Sequence, residues 1–210
     1  MSRRVLAAAL ALVSLTACQL GERPYFSEDP FPAGLSTGDP NVDKVLDKLD
    51  ALSAEPFTAA YAVLRKYGNL EFTALVAVSA GARAVTLGNT RYLQTEPIVQ
   101  TCKVDRSTPC LNGLVAQSSS DTGLTVDFYS ADAAKRLRRD TAAKVAPTTL
   151  YFETFAEQPA TCVDLPLPNG TATYCALDNG VLAKLDDGDV RVVMNLYAAD
   201  APLELFAVGE

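Results

Sequence analysis

The sequence contains no histidine and no tryptophan. The first absence removes the usual general base, the usual zinc ligand and the side chain that titrates near neutrality. Hydrolase triads built on histidine are therefore excluded. Long apolar runs are also missing. The longest, Val5 to Thr16, has 12 residues, whereas a membrane-spanning helix needs about 20. No phosphate-binding glycine loop occurs. Nothing pairs a nucleophile with a base, so the chain reads as non-catalytic. No cofactor or metal is implied either.

The short apolar run has the size of a signal-peptide core. Arg3 and Arg4 precede it, and Leu15-Thr16-Ala17-Cys18 follows. That order matches a bacterial lipobox, so residues 1–17 are read as a lipoprotein signal peptide. Cys18 is the expected lipid-attachment site and membrane anchor, because its thiol can be joined to diacylglycerol. Two or three acyl chains anchor stably where one is marginal. The expected location is the outer face of the cytoplasmic membrane or the cell envelope. The mature chain, Cys18 to Glu210, has 193 residues, with 16 basic and 25 acidic side chains and a net charge of −9. That balance argues against nucleic acid as a partner.

Four cysteines remain: Cys102, Cys110, Cys162 and Cys175. An even number in an exported chain reads as two disulfides. Three pairings are possible. Cys102–Cys110 with Cys162–Cys175 is favoured, because each pair encloses a short segment rich in turn residues. Spacings of 8 and 13 do not suit zinc.

Residues 18–39 read as a lipidated tether rich in proline and glycine. Residues 40–210 read as a single α+β domain. Asp39-Pro40 opens a helix with Val42, Val45, Leu46, Leu49 and Leu52 on one face. From residue 57 the apolar period becomes 2. Strands are expected at 58–65, 72–78, 82–87, 91–95, 98–104 and 111–117. A second helix follows, with Ser130 as N-cap and Pro147 beyond its end. Strands resume at 148–155, 160–165, 171–177, 181–185 and 190–197, with a last one at 203–208. The expected fold is a curled antiparallel half-barrel of about 9–11 strands covered by two helices.

The order of these elements resembles the LolA/LolB and LppX/LprG type of envelope lipoprotein. Locally, Ala160-Thr161-Cys162-Val163 and Tyr174-Cys175-Ala176-Leu177-Asp178-Asn179-Gly180 resemble stretches of actinobacterial lipoproteins. The resemblance implies a half-barrel closed by helices around an apolar ligand cavity. The leading expectation is therefore a lipid bound or carried in the concavity, facing Val45, Leu49, Leu137, Val145, Val192 and Met194. The alternative is a protein-binding or scaffold lipoprotein with a filled core and an envelope protein partner. Lys135, Arg138 and Arg139 lie within one helical turn and could hold an anionic headgroup. Asp186-Asp187-Gly188-Asp189 could gather carboxylates on calcium, although a solvated hairpin turn has the same composition.

Overall fold

The computed structural model describes residues 29–207. The signal segment, Cys18 and most of the tether lie outside the described residues. Residues 31–207 belong to one compact unit. Helix α1 (Pro40–Asp50) starts where the sequence demands. Proline at its first position has no N–H to satisfy. The Asp39 carboxylate accepts from the backbone N–H of Asn41 and Val42. Val42, Val45, Leu46 and Leu49 are buried on one stripe. Residues 34–38, expected in the tether, instead lie back along α1. Gly34 N–H donates to Asp50 at 3.0 Å, and Thr37 N–H and hydroxyl donate to Asp43 at 2.8 Å.

Eleven strands follow: β1 (Phe57–Arg65), β2 (Leu70–Ser79), β3 (Ala82–Leu87), β4 (Thr90–Thr95), β5 (Ile98–Lys103), β6 (Leu111–Asn112), β7 (Thr149–Phe155), β8 (Gln158–Leu167), β9 (Gly170–Leu177), β10 (Leu182–Asp186) and β11 (Val190–Ala198). Helix α2 (Ala131–Ala142) lies between β6 and β7. All eleven strands form one open, curled sheet in the order β6-β5-β4-β3-β2-β1-β11-β10-β9-β8-β7. Two meanders thus join through their first and last strands, β1 and β11. Irregularities at Ala60/Tyr61 and Leu182/Lys184 break the ladder, and such bulges sharpen twist. This is the curled α+β half-barrel expected from the apolar period.

Direct cross-strand partners show which side chains share the inner face. Ala59, Val76, Val85 and Tyr92 form one row. Tyr174, Leu185, Val192 and Val63 form another. The two helices pack on each other and on β8 and β9, so they cover one half of the sheet. The other half is covered by residues 113–130, which run without a strand after Asn112. Leu124, Phe128 and Tyr129 from this segment are buried against the inner face. The expected strand 111–117 therefore stops at Asn112. Gly113, with φ of +85°, turns the chain away, and a 3-10 helix follows at Ala116–Ser119. The expected strand at 203–208 is likewise a 3-10 helix, Leu203–Phe206. It straps the outer face, where Leu205 and Phe206 pack on Ala77, Ala84 and Leu93.

Ser130 occupies the N-cap position of α2, but its side chain makes no capping bond. The turn before α2 is held instead by the Asp127 carbonyl, which accepts from the N–H of Ser130 and Asp132.

Candidate functional site

The concavity is the first place to look for a ligand. Val45, Leu49, Leu137, Val192 and Met194 all belong to one apolar cluster and are at most 3% exposed. Aromatic rings fill its middle. Tyr61 and Phe128 meet edge to face at 5.2 Å, and Tyr129 meets Phe57 and Phe128 at 5.9 Å. The Tyr61 hydroxyl donates to the Leu182 carbonyl at 3.0 Å. Complete burial pushes the Tyr61 phenol well above its ordinary pKa. Val145 departs from the expected set. Helix α2 ends at Ala142, so Val145 falls beyond its apolar face and is 64% exposed. Its N–H donates to the Pro166 carbonyl at 2.9 Å.

Among the depressions of the described surface are four with distinct linings. They lie at the first disulfide, on the outer face of β1, β2 and β11, beside the start of α1, and along β3 and β4. None of these four is lined by Val45, Leu49, Leu137, Val192 or Met194; Val145 lines the one beside α1. The depression on β1, β2 and β11 has a volume of about 570 Å³. Ala62, Leu64, Thr73 and Val193 line it, between Glu71 and Arg191.

The basic side chains of α2 do not converge on one anion. Arg138 is buried, ion-paired with Asp50, and donates its Nε–H to the Leu35 carbonyl at 3.0 Å. Arg139 turns to Asp140 at 2.8 Å and Asp187 at 4.0 Å. Lys135 is exposed one turn before Arg139. Helical geometry explains the split, since positions 138 and 139 are about 100° apart around the axis.

The acidic turn between β10 and β11 supplies the partner that this helix needs. Asp187 points inward with its side chain only 2% exposed. One carboxylate oxygen accepts from the N–H of Asp189 and Val190, both at 2.8 Å. The other faces Arg136 at 3.3 Å. Arg136 also pairs with Asp132 at 2.9 Å and donates to the Gly123 carbonyl at 2.8 Å. Burial opposes the Arg136 charge, but Asp132 and Asp187 outweigh it and raise its pKa. The adjacent Asp140 accepts from the Tyr174 hydroxyl at 2.6 Å. Burial first, then Asp140, pushes that phenol well up. Asp186 is engaged elsewhere, with Lys66 at 2.8 Å and Arg191 at 3.7 Å. Asp187 therefore docks the turn on α2, while Asp186 faces cations outside that helix.

Both favoured disulfides are present. Cys102–Cys110 lies at the sheet edge, and Cys162–Cys175 joins direct cross-strand partners of β8 and β9. Glu153 lies near the second pair, but those sulfurs are already bonded to each other. Two disulfides fit an exported protein. Among the described residues no helix is long and apolar enough to cross a membrane.

No protein-family model matches the chain, and no curated protein matches it. Solved structures do. The crystal structure of MucB is 16% identical, with a TM-score of 0.49 over 82% of this chain and 64% of that one. The Pseudomonas aeruginosa MucA/MucB complex gives 11% identity and a TM-score of 0.45, covering 80% of this chain and 61% of that one. MucB in complex with MucA(peri) gives 13% and 0.44, covering 80% and 59%. The chain thus spans less than two thirds of the solved chains to which it is similar.

Proposed function

We propose that this chain is an exported envelope lipoprotein, anchored through Cys18, that binds another protein and is non-catalytic. The filled concavity carries this reading. Small-molecule pockets have volumes of about 300–1,000 Å³. Here the inner face is occupied by α1, α2 and the chain's own Leu124, Phe128 and Tyr129. Apolar surface remains instead on the outer face, where the trough of Ala62, Leu64, Thr73 and Val193 lies on the central strands. Exposed apolar surface rimmed by charge is a common mark of a protein contact. The lipobox and the local likeness to actinobacterial lipoproteins support the anchor.

The test uses the full-length, anchored protein in its native envelope. A photo-crosslinking side chain at Thr73 is expected to capture one discrete protein. Val193→Glu in the same chain should abolish that capture without lowering the melting temperature. Lipid co-purifying in near-stoichiometric amounts with a Cys18→Ser variant, measured by mass spectrometry, would overturn the reading and restore the carrier.

A further inference from the structure

The sheet has two edges, and they are built differently. β6 is two residues long, Leu111–Asn112. Pro109 and Cys110 come just before it, and the disulfide to Cys102 ties this entry to β5. Short length, proline and cross-linking keep an edge from pairing with another chain. β7 has none of these devices. Its seven residues, Thr149–Phe155, include no proline and no lysine, and most favour strands. Thr149, Phe152, Glu153 and Thr154 are exposed, Phe152 to 76%. Leu150 and Tyr151 are half-buried against the core, and Phe155 at the far end is buried.

The hairpin to β8 decides where the backbone groups of β7 point. Phe155 stands opposite Gln158 across the two-residue turn Ala156-Glu157, both at positive φ. The residues flanking such a turn form a hydrogen-bonded pair. Alternation then gives Thr149, Tyr151, Glu153 and Phe155 to β8. Leu150, Phe152 and Thr154 direct N–H and C=O outward. Among the described residues, no other strand pairs with this edge, and no backbone bond from another element reaches these three.

We propose that β7 pairs antiparallel with β7 of a second copy, across a two-fold axis at Phe152. The register is constrained. Outward groups meet outward groups only when even-numbered residues face even-numbered ones. An axis at Phe152 sets Leu150 opposite Thr154 of the second copy and Phe152 opposite its own counterpart. It gives the longest overlap of the strand with itself. The charges are compatible too, which matters for a chain with formal net charge −7. Glu153 is the only charged residue of β7. It stands opposite the neutral Tyr151 of the second copy, so no like charges face each other. An isologous contact of this kind closes at two copies and leaves no growing fibre. Anchoring both copies in one membrane raises their effective concentration, so a strand contact that is weak in solution suffices there.

The experiment uses full-length protein in detergent. Phe152→Cys is expected to form a covalent dimer under mild oxidation. Hydrogen-bonded antiparallel partners lie about 5.5 Å apart between Cα atoms, within the range a disulfide spans. Leu150→Cys, whose opposite number is Thr154, should not cross-link. Sedimentation of the wild type should show reversible dimers. Thr154→Pro removes an outward N–H without touching the β8 ladder, so it should keep the melting temperature and weaken dimerisation by about tenfold or more. If that variant fails to fold, Phe152→Lys serves the same purpose. A wild type that stays monomeric throughout the micromolar range, a dimer indifferent to both variants, or equal cross-linking at 150 and 152 would each overturn the proposal. None of these results bears on the outer-face contact, which Thr73 reports separately.

Discussion

Asp187 offers the sharpest test of how the second helix is held. Replacing it by alanine removes the acceptor of two backbone N–H groups, one of them on the buried Val190. An orphaned buried donor costs about 1–3 kcal/mol. The same change strips Arg136 of one of its two carboxylates, at a side chain only 15% exposed. Breaking a buried pair outright costs about 3–5 kcal/mol. Arg136 keeps Asp132 at 2.9 Å and the Gly123 carbonyl at 2.8 Å, so that second contribution falls well short of its full size. The two together give about 3 kcal/mol for Asp187→Ala. Asp187→Asn retains an oxygen for the turn and loses only the charge, which puts its cost near 1–2 kcal/mol. Urea unfolding followed by circular dichroism measures both, with an unchanged slope showing that the unfolded state is unaltered. A loss under about 1 kcal/mol for the alanine variant would refute the network as a structural element. Calcium and chelator should leave the wild-type midpoint where it is. A midpoint that rises with calcium would show that the turn serves an ion instead.

Three other changes test separate joints of the fold. Gly180, at φ of +85°, presses the β9–β10 turn against α1, and an added Cβ would stand 2.5 Å from the Lys48 carbonyl oxygen and 2.7 Å from Leu52 Cα. Gly180→Ala should therefore cost about 3 kcal/mol or more by thermal or urea unfolding, and a near-neutral result would mean that the turn and helix are not in contact. Ala156 and Glu157 both sit at positive φ, +46° and +64°, in the β7–β8 turn. The double change to Asn-Gly should stabilise by about 1–2 kcal/mol, read as a raised melting temperature, and a loss would contradict the turn geometry. Burial works to raise the Asp39 pKa, but Lys144, Thr148 and the Asn41 N–H outweigh it and hold the carboxyl below its ordinary range. Its contribution is present above about pH 4 and lost as pH falls through the lowered folded value. The melting-temperature gap between wild type and Asp39→Asn should thus be wide at neutral pH and close in acid; a gap independent of pH would refute the ion pair.

Much of this fold was legible because its signals are local. Pro40 after Asp39, and the apolar stripe Val42, Val45, Leu46 and Leu49, fix α1 without reference to anything distant. Alternation in Ala74, Val76 and Val78 fixes one face of β2 in the same way. The disulfides were legible from the turn residues between their cysteines. What could not be read depends on partners far along the chain. Arg136, Arg138 and Arg139 look like one cluster in sequence, yet their carboxylates come from Asp187, Asp50 and Asp140. Leu203, Leu205 and Ala207 alternate like a strand, but β11, which leads into them, is already flanked by β1 and β10, so the segment coils into a strap. The pairing of β1 with β11 spans more than 120 residues and leaves no local mark.

The decision between a lipid cavity and a packed core rests on the inner face of β4 and β5. The helices, 11 and 12 residues long, reach only about 16–18 Å each, while eleven strands spread across about 48 Å. A second cover is needed, and residues 113–130 provide it as irregular chain. Irregular backbone satisfies only part of its own polar groups, so something must bond to the rest once it is buried. Thr90 donates to the Ser118 carbonyl at 2.8 Å, Tyr92 donates to the Ser119 hydroxyl, and Thr101 both donates to the Gly113 carbonyl and accepts from the Val115 N–H. All three lie on one inner row or beside it, and all are at most 4% exposed. A wall built to face acyl chains would carry apolar residues at these positions, because each hydroxyl would lose its partner when a lipid displaced the segment. Arg83, ion-paired with Asp127 of the same segment, would lose that carboxylate as well. The polar residues of β4 and β5 are thus spent on holding the chain's own cover in place, and that commitment favours a filled core over a carrier.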